Sequence, residues 1–222
     1  MLDSPRLTIA VRGVEPFVEE VRPVDAAEDH TQRRDLSLVE QARDGSLDAF
    51  NGLVELYQDH LFALVVRMVP DRDQAADAVQ EAFFSAFRNL RSFRGGSVRS
   101  WLSRIAINAA MDQQRLRKRR PSQPYPELED DTWQPPAGPD ADPERTAIGI
   151  ERGRVLHAAL ATITTDQRNA IVMFDVEGFD YQEIADLTGV SLGTGKSRIH
   201  RGRLALRDRL AGSMSLFRGD EG

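Results

Sequence analysis

The run "GVSLGTGKSRIHRGR", from Gly189 to Arg203, gathers residue types suited to phosphate chemistry. Gly193, Gly195, Lys196 and Ser197 resemble the end of a nucleotide-binding loop. There, backbone amides cradle phosphates, the lysine reaches the outer ones and the hydroxyl holds magnesium. The same letters could instead open a basic helix that donates hydrogen bonds to DNA. The loop needs an earlier glycine five places before Gly195, and that place is Val190. It also needs a preceding strand, whereas "DYQEIADLTG" puts Ile184, Ala185 and Leu187 on one helical side. No β-rich run ending in aspartate offers a magnesium ligand, so the nucleotide-hydrolase reading fails.

The basic-helix reading explains more residues. In "FDYQEIADLTGVSLGTGKSRIHRGRLALRDRL" a short helix leads through a turn at Gly189 to a longer helix capped by Ser191. On the longer helix Leu192, Ile199, Leu206 and Leu210 cluster on one side, beside Gly195 and Gly202. Thr194, Ser197, His200 and Arg201 lie opposite, and Lys196 reaches round from the first turn. An apolar inner side and an outer side rich in donors suit a recognition helix in the major groove. Arg and Lys pair with guanine edges, and Ser and Thr donate with less selectivity. A surface helix with a merely basic face is the plainer alternative.

Charge distribution favours a nucleic-acid partner, although the net charge of -6 does not. Arg99, Arg104, Arg115, Arg117, Lys118, Arg119 and Arg120 form one basic block. Lys196, Arg198, Arg201, Arg203, Arg207 and Arg209 form a second, and an acidic stretch from Glu127 to Glu151 separates them. Local fields attract ligands whatever the net sum. The absence of cysteine excludes disulfides, thiolate metal sites and cysteine nucleophiles. His30, His60, His157 and His200 are scattered without metal-ligand spacing. No metal, cofactor or catalytic residue is expected. No apolar run approaches the roughly 18 residues of a membrane span, and the first residues lack a secretory pattern, so no membrane insertion and a cytoplasmic location are expected.

These motifs must be held by helices. Residues 1–36 carry Pro5, Pro16 and Pro23 without sustained period and read as a variable extension. From Leu36, apolar residues recur at three- and four-residue steps through Val39, Ala42, Leu47, Phe50, Leu53, Leu61 and Val65. Asp44-Gly45 breaks the pattern, Ser46 can cap the next helix, Pro70 stops it and Asp73 can cap another. A further helix runs through Trp101, Leu102, Ile105, Ala109 and Leu116 to Pro121. The expected fold is all-α: a helical bundle over 37–120, an acidic proline-rich linker over 121–144, a helix-turn-helix domain over 145–212, and a tail over 213–222.

Taken in order, "DRDQAADAVQEAFFSAFRNLRSFRG", "VRSWLSRIAINAAMDQQRLRKRR", "TTDQRNAIVMFDVEGFDYQEIADLTGVSLGTGKSRIHRGR" and "LRDRL" resemble the extracytoplasmic-function sigma factors, promoter-specificity subunits of bacterial RNA polymerase. The resemblance spans about residues 37–211. It implies a non-enzymatic subunit that binds core RNA polymerase, reads promoter -10 and -35 elements and assists melting. It assigns Asp77, Gln80, Glu81 and Phe84 to docking on the polymerase clamp, with Phe84 as a core residue the alternative. It places Phe93, Arg94, Ser97, Arg104, Asn108, Arg115 and Arg119 at the melted -10 DNA, where the Asn108 amide can both donate to and accept from a flipped base. Trp101 reads either as a base stacker or as a core anchor. The resemblance places Thr194, Lys196, Ser197, Arg198, His200, Arg201 and Arg203 at the duplex -35 element. The acidic linker, with Glu127, Glu129, Asp130 and Asp131, resembles the tether crossing the polymerase cleft, a plain solvated tether being the alternative. An anti-sigma factor is an implied partner. A stand-alone helix-turn-helix regulator is the other reading, one with no use for residues 77–84. Gly195 and Gly202 stand where the family usually has Val and Ala, which predicts a less stable recognition helix, fully ordered on DNA.

Overall fold

The computed structural model describes residues 26–69, 71–119 and 143–217. The acidic residues Glu127, Glu129, Asp130 and Asp131 lie outside them. All regular structure among the described residues is helical. The first bundle comprises α1 (Ala26–Arg43), α2 (Leu47–Met68), α3 (Arg72–Arg88) and α4 (Val98–Arg119), with a 3-10 turn at Leu90–Ser92. The second part comprises α5 (Pro143–Thr162), α6 (Thr165–Ile171), a π-helical turn at Val172–Val176, α7 (Tyr181–Thr188), α8 (Leu192–Leu210) and the short α9 (Met214–Phe217).

Helix α1 starts at Ala26, inside the stretch read as an extension. Its sequence is mostly polar, so apolar periodicity there is weak. A buried polar contact helps hold it: the Tyr57 hydroxyl donates to Asp35, and Arg34 pairs with the same carboxylate at 3.0 Å. Burial first, and then Asp35, push the Tyr57 phenol above its usual range. Ser46 caps α2 by accepting from the Ala49 amide. The cap of α3 is Asp71, which accepts from the Asp73 and Gln74 amides, so Asp73 lies in the first turn and does not cap. Capping falls to the residue whose backbone is still extended, and Asp71 is that residue (φ -79°, ψ 119°).

The core of the first bundle is centred on Leu53, Leu61, Leu64, Val65 and Met68 of α2. Ala75, Ala78, Ala82 and Ala86 on α3, and Ala106 and Ala110 on α4, are also buried. Small side chains let α3 and α4 approach closely, which fixes the side of α4 that remains outside. The core does not end at the bundle. Val172, Met173, Phe179, Ile184 and Ile199 of the second part join the same apolar cluster. The expected pair of tethered domains is therefore packed together, a contact between residues far apart in sequence.

Candidate nucleic-acid and polymerase interface

The turn after α7 is built as the glycine pattern predicts. Gly189 takes a left-handed φ of 67°, and Ser191 then caps α8 by accepting from the Thr194 amide. Upstream, Asp180 and Glu183 form a reciprocal capping box on α7. Lys196 lies within α8, preceded by a helix rather than a strand, which removes the phosphate-loop geometry.

The outer face of α8 carries Thr194, Lys196, His200 and Arg201 in exposed positions, with Ser197 half-buried. Arg201 Nε donates to Ser197 Oγ at 2.9 Å, one turn back along the helix. Lys196 Nζ sits 5.2 Å from the centre of the Tyr181 ring, which stacks on Phe174 at 4.7 Å. Arg198 is bonded to Asp166 at 2.6 Å. The Arg203 guanidinium grips Asp175 through Nε at 2.9 Å and lies 4.9 Å over the Phe174 ring. The bond to Asp175 raises the Arg203 pKa, and burial opposes it. Both cations thus carry carboxylates within their own domain.

On the first bundle, Asp77, Gln80, Glu81 and Phe84 are all exposed along one side of α3. Phe84 is 55% exposed, which answers the core alternative for its ring. Its neighbour Phe83 is buried, so the two adjacent aromatics lie on different sides of the helix. Arg88 lies over the Phe84 ring at 4.7 Å.

The loop before α4 turns through Gly95 and Gly96 at φ values of 98° and 87°, which favour glycine. Arg94 and Asn108 are exposed. Phe93 is only 5% exposed and packs against Trp101 at 5.4 Å. Arg43 reaches over it, bonding the carbonyls of Leu90 and Phe93. The ring supports the loop from beneath. Ser97 has a structural task as well, because its hydroxyl accepts from the Ser100 amide at the start of α4. Trp101, half-buried against Phe93, fits the anchor reading. Arg115 pairs with Asp112 at 2.9 Å on the exposed side, and Arg119 ends α4 with its side chain outside the described residues.

Sequence reasoning missed the contact between the two parts. Glu177, just after the π turn, inserts its carboxylate against α2 and α4 with a side-chain exposure of 4%. Ser103 Oγ donates to Glu177 Oε2 at 2.8 Å, and His60 Nε2 lies 3.4 Å from the same oxygen. The Arg99 guanidinium lies against the imidazole, Nε to Nε2 at 3.3 Å. Burial alone would raise the Glu177 pKa, but His60, Ser103 and Arg99 hold it below the ordinary value. Its second oxygen, Oε1, has no hydrogen-bond partner among the described residues. Such an unsatisfied buried oxygen costs about 1–3 kcal/mol and weakens the contact. Nearby, Arg104 pairs with Glu183 and stacks over Phe179 at 5.0 Å. Asn169 Nδ2 donates to Gln114 Oε1 at 2.8 Å, and His157 Nε2 lies 3.2 Å from the Val66 carbonyl. Nothing in the local pattern of any of these residues announces a partner so distant in sequence.

Two family models match the chain: Sigma-70 region 2 over residues 53–120 and Sigma-70, region 4 over residues 153–206. They fall on the α2–α4 bundle and on the helix-turn-helix part. The chain is 38% identical over 182 residues to the RNA polymerase sigma-H factor of Pseudomonas aeruginosa, covering 79% of this chain and 93% of that one. It is 36% identical over 183 residues to the ECF RNA polymerase sigma-E factor of Escherichia coli, covering 81% and 95%. It is 37% identical over 166 residues to the ECF RNA polymerase sigma factor SigE of Mycolicibacterium smegmatis, covering 75% of this chain and 63% of that longer one. Among solved structures, it resembles the sigma factor RpoE in complex with the anti-sigma factor NepR from Bartonella quintana. That match has a TM-score of 0.56 and 27% identity, over 74% of this chain and 98% of that one. The chain belongs to the extracytoplasmic-function sigma factor family. As an alternative sigma factor it binds core RNA polymerase and directs it to promoter DNA. The region 2 match leaves no place for the stand-alone regulator. Among the described residues, no helix is long and apolar enough to cross a membrane, and no group of three or more His, Cys, Asp or Glu could hold a metal ion.

Proposed function

We propose a residue-level division of labour within this sigma factor. Asp77, Gln80, Glu81 and Phe84 dock on core polymerase, and the observation that carries this is the outward Phe84 ring beside three exposed polar groups. A large exposed ring at the end of a polar strip suits a partner's apolar hollow. Arg94, Arg104, Asn108 and Arg115 meet the melted -10 strand, with Arg119 at the end of the same helix. Phe93, Ser97 and Trp101 shape the loop that presents them. Thr194, Lys196, Ser197, His200 and Arg201 read the duplex -35 element. Arg198 and Arg203 either exchange their carboxylates for phosphates or act as braces.

The chain performs these steps as a binding subunit without catalysis, in the cytoplasm. An anti-sigma protein is its natural counterpart; support comes from the 27%-identical RpoE, whose structure contains NepR.

The test is co-elution of the full chain with sigma-free bacterial core polymerase, compared with the Gln80→Ala/Glu81→Ala variant. Stable co-elution weakened by the double variant is expected. Co-elution unchanged by it would move the docking surface away from α3.

A further inference from the structure

Helix α4 carries Arg99, Ser103 and Arg104 at the junction, and Arg104 and Asn108 are four residues apart on one stripe. Asn108 is exposed, whereas Arg104 is engaged by Glu183. The second part therefore covers one end of the stripe assigned to promoter DNA and leaves the other end open. At the covered end Glu177 meets the Ser103 hydroxyl and the His60 imidazole, and the Arg99 guanidinium lies against that imidazole. That donor set suits a phosphate as well as a carboxylate, since both are anions that accept several hydrogen bonds.

We propose that His60, Arg99 and Ser103 form a phosphate subsite for the melted promoter strand, which Glu177 fills in the polymerase-free chain as a stand-in for the phosphate. Glu183 does the same for the Arg104 guanidinium. The helix-turn-helix part thus competes with DNA for the first bundle by presenting two carboxylates. The unpaired Oε1 of Glu177 marks an imperfect fit, as expected of an occupant that must leave. The inference rests on the reading of Arg104 and Asn108 as -10 contacts.

The probe is a fluorescein-labelled, random-sequence single strand of about a dozen nucleotides, within the site sizes usual for single-strand binders. Its anisotropy is followed with the polymerase-free full chain. Glu177→Gln removes the charge and should tighten binding about tenfold, the change produced by about 1.4 kcal/mol. Glutamine can still accept from Ser103, so Glu177→Ala serves as a second release variant, and far-UV circular dichroism checks both for folding. Adding Arg99→Ala should return the affinity toward that of the wild type and reduce the slope of log K against log salt by about 0.7, the value for one phosphate on a single strand. Release variants that bind no tighter, or an unchanged slope after Arg99→Ala, would overturn the proposal. Arg104→Ala and Asn108→Ala, made on the same background, test the underlying reading separately. If neither alters binding while the Arg99 effect persists, the -10 assignment fails and the subsite stands.

Discussion

A methyl group built on Gly202 of α8 would lie 2.7 Å from Ile171 Cδ1 and 3.2 Å from Gln167 Cβ on α6. The glycine that looked like a weakness in the recognition helix is the point where two helices meet closely. Gly195 differs, because a methyl there would meet only the Tyr181 carbonyl oxygen, at 3.9 Å. Gly195→Ala should therefore stabilise the chain by about 0.5–1 kcal/mol through backbone entropy and helix propensity. At Gly202→Ala the same gain is set against overpacking of about 1–3 kcal/mol. A net loss of about 1 kcal/mol is expected, and thermal melting of both variants checks the opposite signs.

Arg201 and Arg203 are two residues apart on α8 and should behave differently. Arg201→Ala is expected to cost about 1–3 kcal/mol of discrimination at one -35 base pair. Arg203→Gln should lower the melting temperature by freeing Asp175 and uncovering Phe174, while the salt dependence of duplex binding stays as in the wild type. A slope reduced by about 0.9 would instead make Arg203 a phosphate contact.

Buried Phe93 gives a third test. Phe93→Ala should destabilise the first bundle by about 3–5 kcal/mol, the usual cost of emptying an aromatic site. Phe93→Leu should restore much of that stability together with -10 strand binding. Normal stability combined with lost binding would make the ring a direct contact of the -10 strand.

His157 supplies a pH dependence. Burial leads in lowering its pKa below the ordinary histidine value of 6.5. Arg168, Arg72 and Arg67 add to this, and the bond to the Val66 carbonyl opposes it. A histidine whose pKa is depressed on folding binds its proton more readily when unfolded. Its stabilisation is therefore complete above about pH 6.5 and falls as pH drops toward the folded pKa. Melting temperature should decline between about pH 7.5 and about 5.5 in the wild type, and His157→Gln should flatten that part of the curve. Glu177, also depressed, acts in a lower window: its contribution is present above about 4.5 and lost as acid protonates it.

Local chemistry was legible in the sequence. Ser46, Ser191 and Gly189 act through neighbours within a few residues, so their types announced the caps and the turn. Asp71 and Asp73 show the limit, because both can cap and only the backbone path from α2 chooses between them. The first half of α1, before Leu36, escaped notice because polar Asp35, not an apolar stripe, supplies part of its anchorage. Phe93 was placed at the -10 DNA by its position in the loop, but its ring lies beneath that loop, and burial is not written in residue type. The Glu177 contact was least visible, since its partners lie more than seventy residues away.

The π turn at Val172–Val176 sets the rotational phase of the chain beyond it. It inserts one more residue per turn than an α-helix, and each residue advances the chain by about 100°. Asp175 consequently faces Arg203, and Glu177, two places on, faces the other bundle. Removing a single residue there would swing both carboxylates off their targets and turn α7 and α8 with them, so one turn sets both the cover over the first bundle and the stance of the recognition helix.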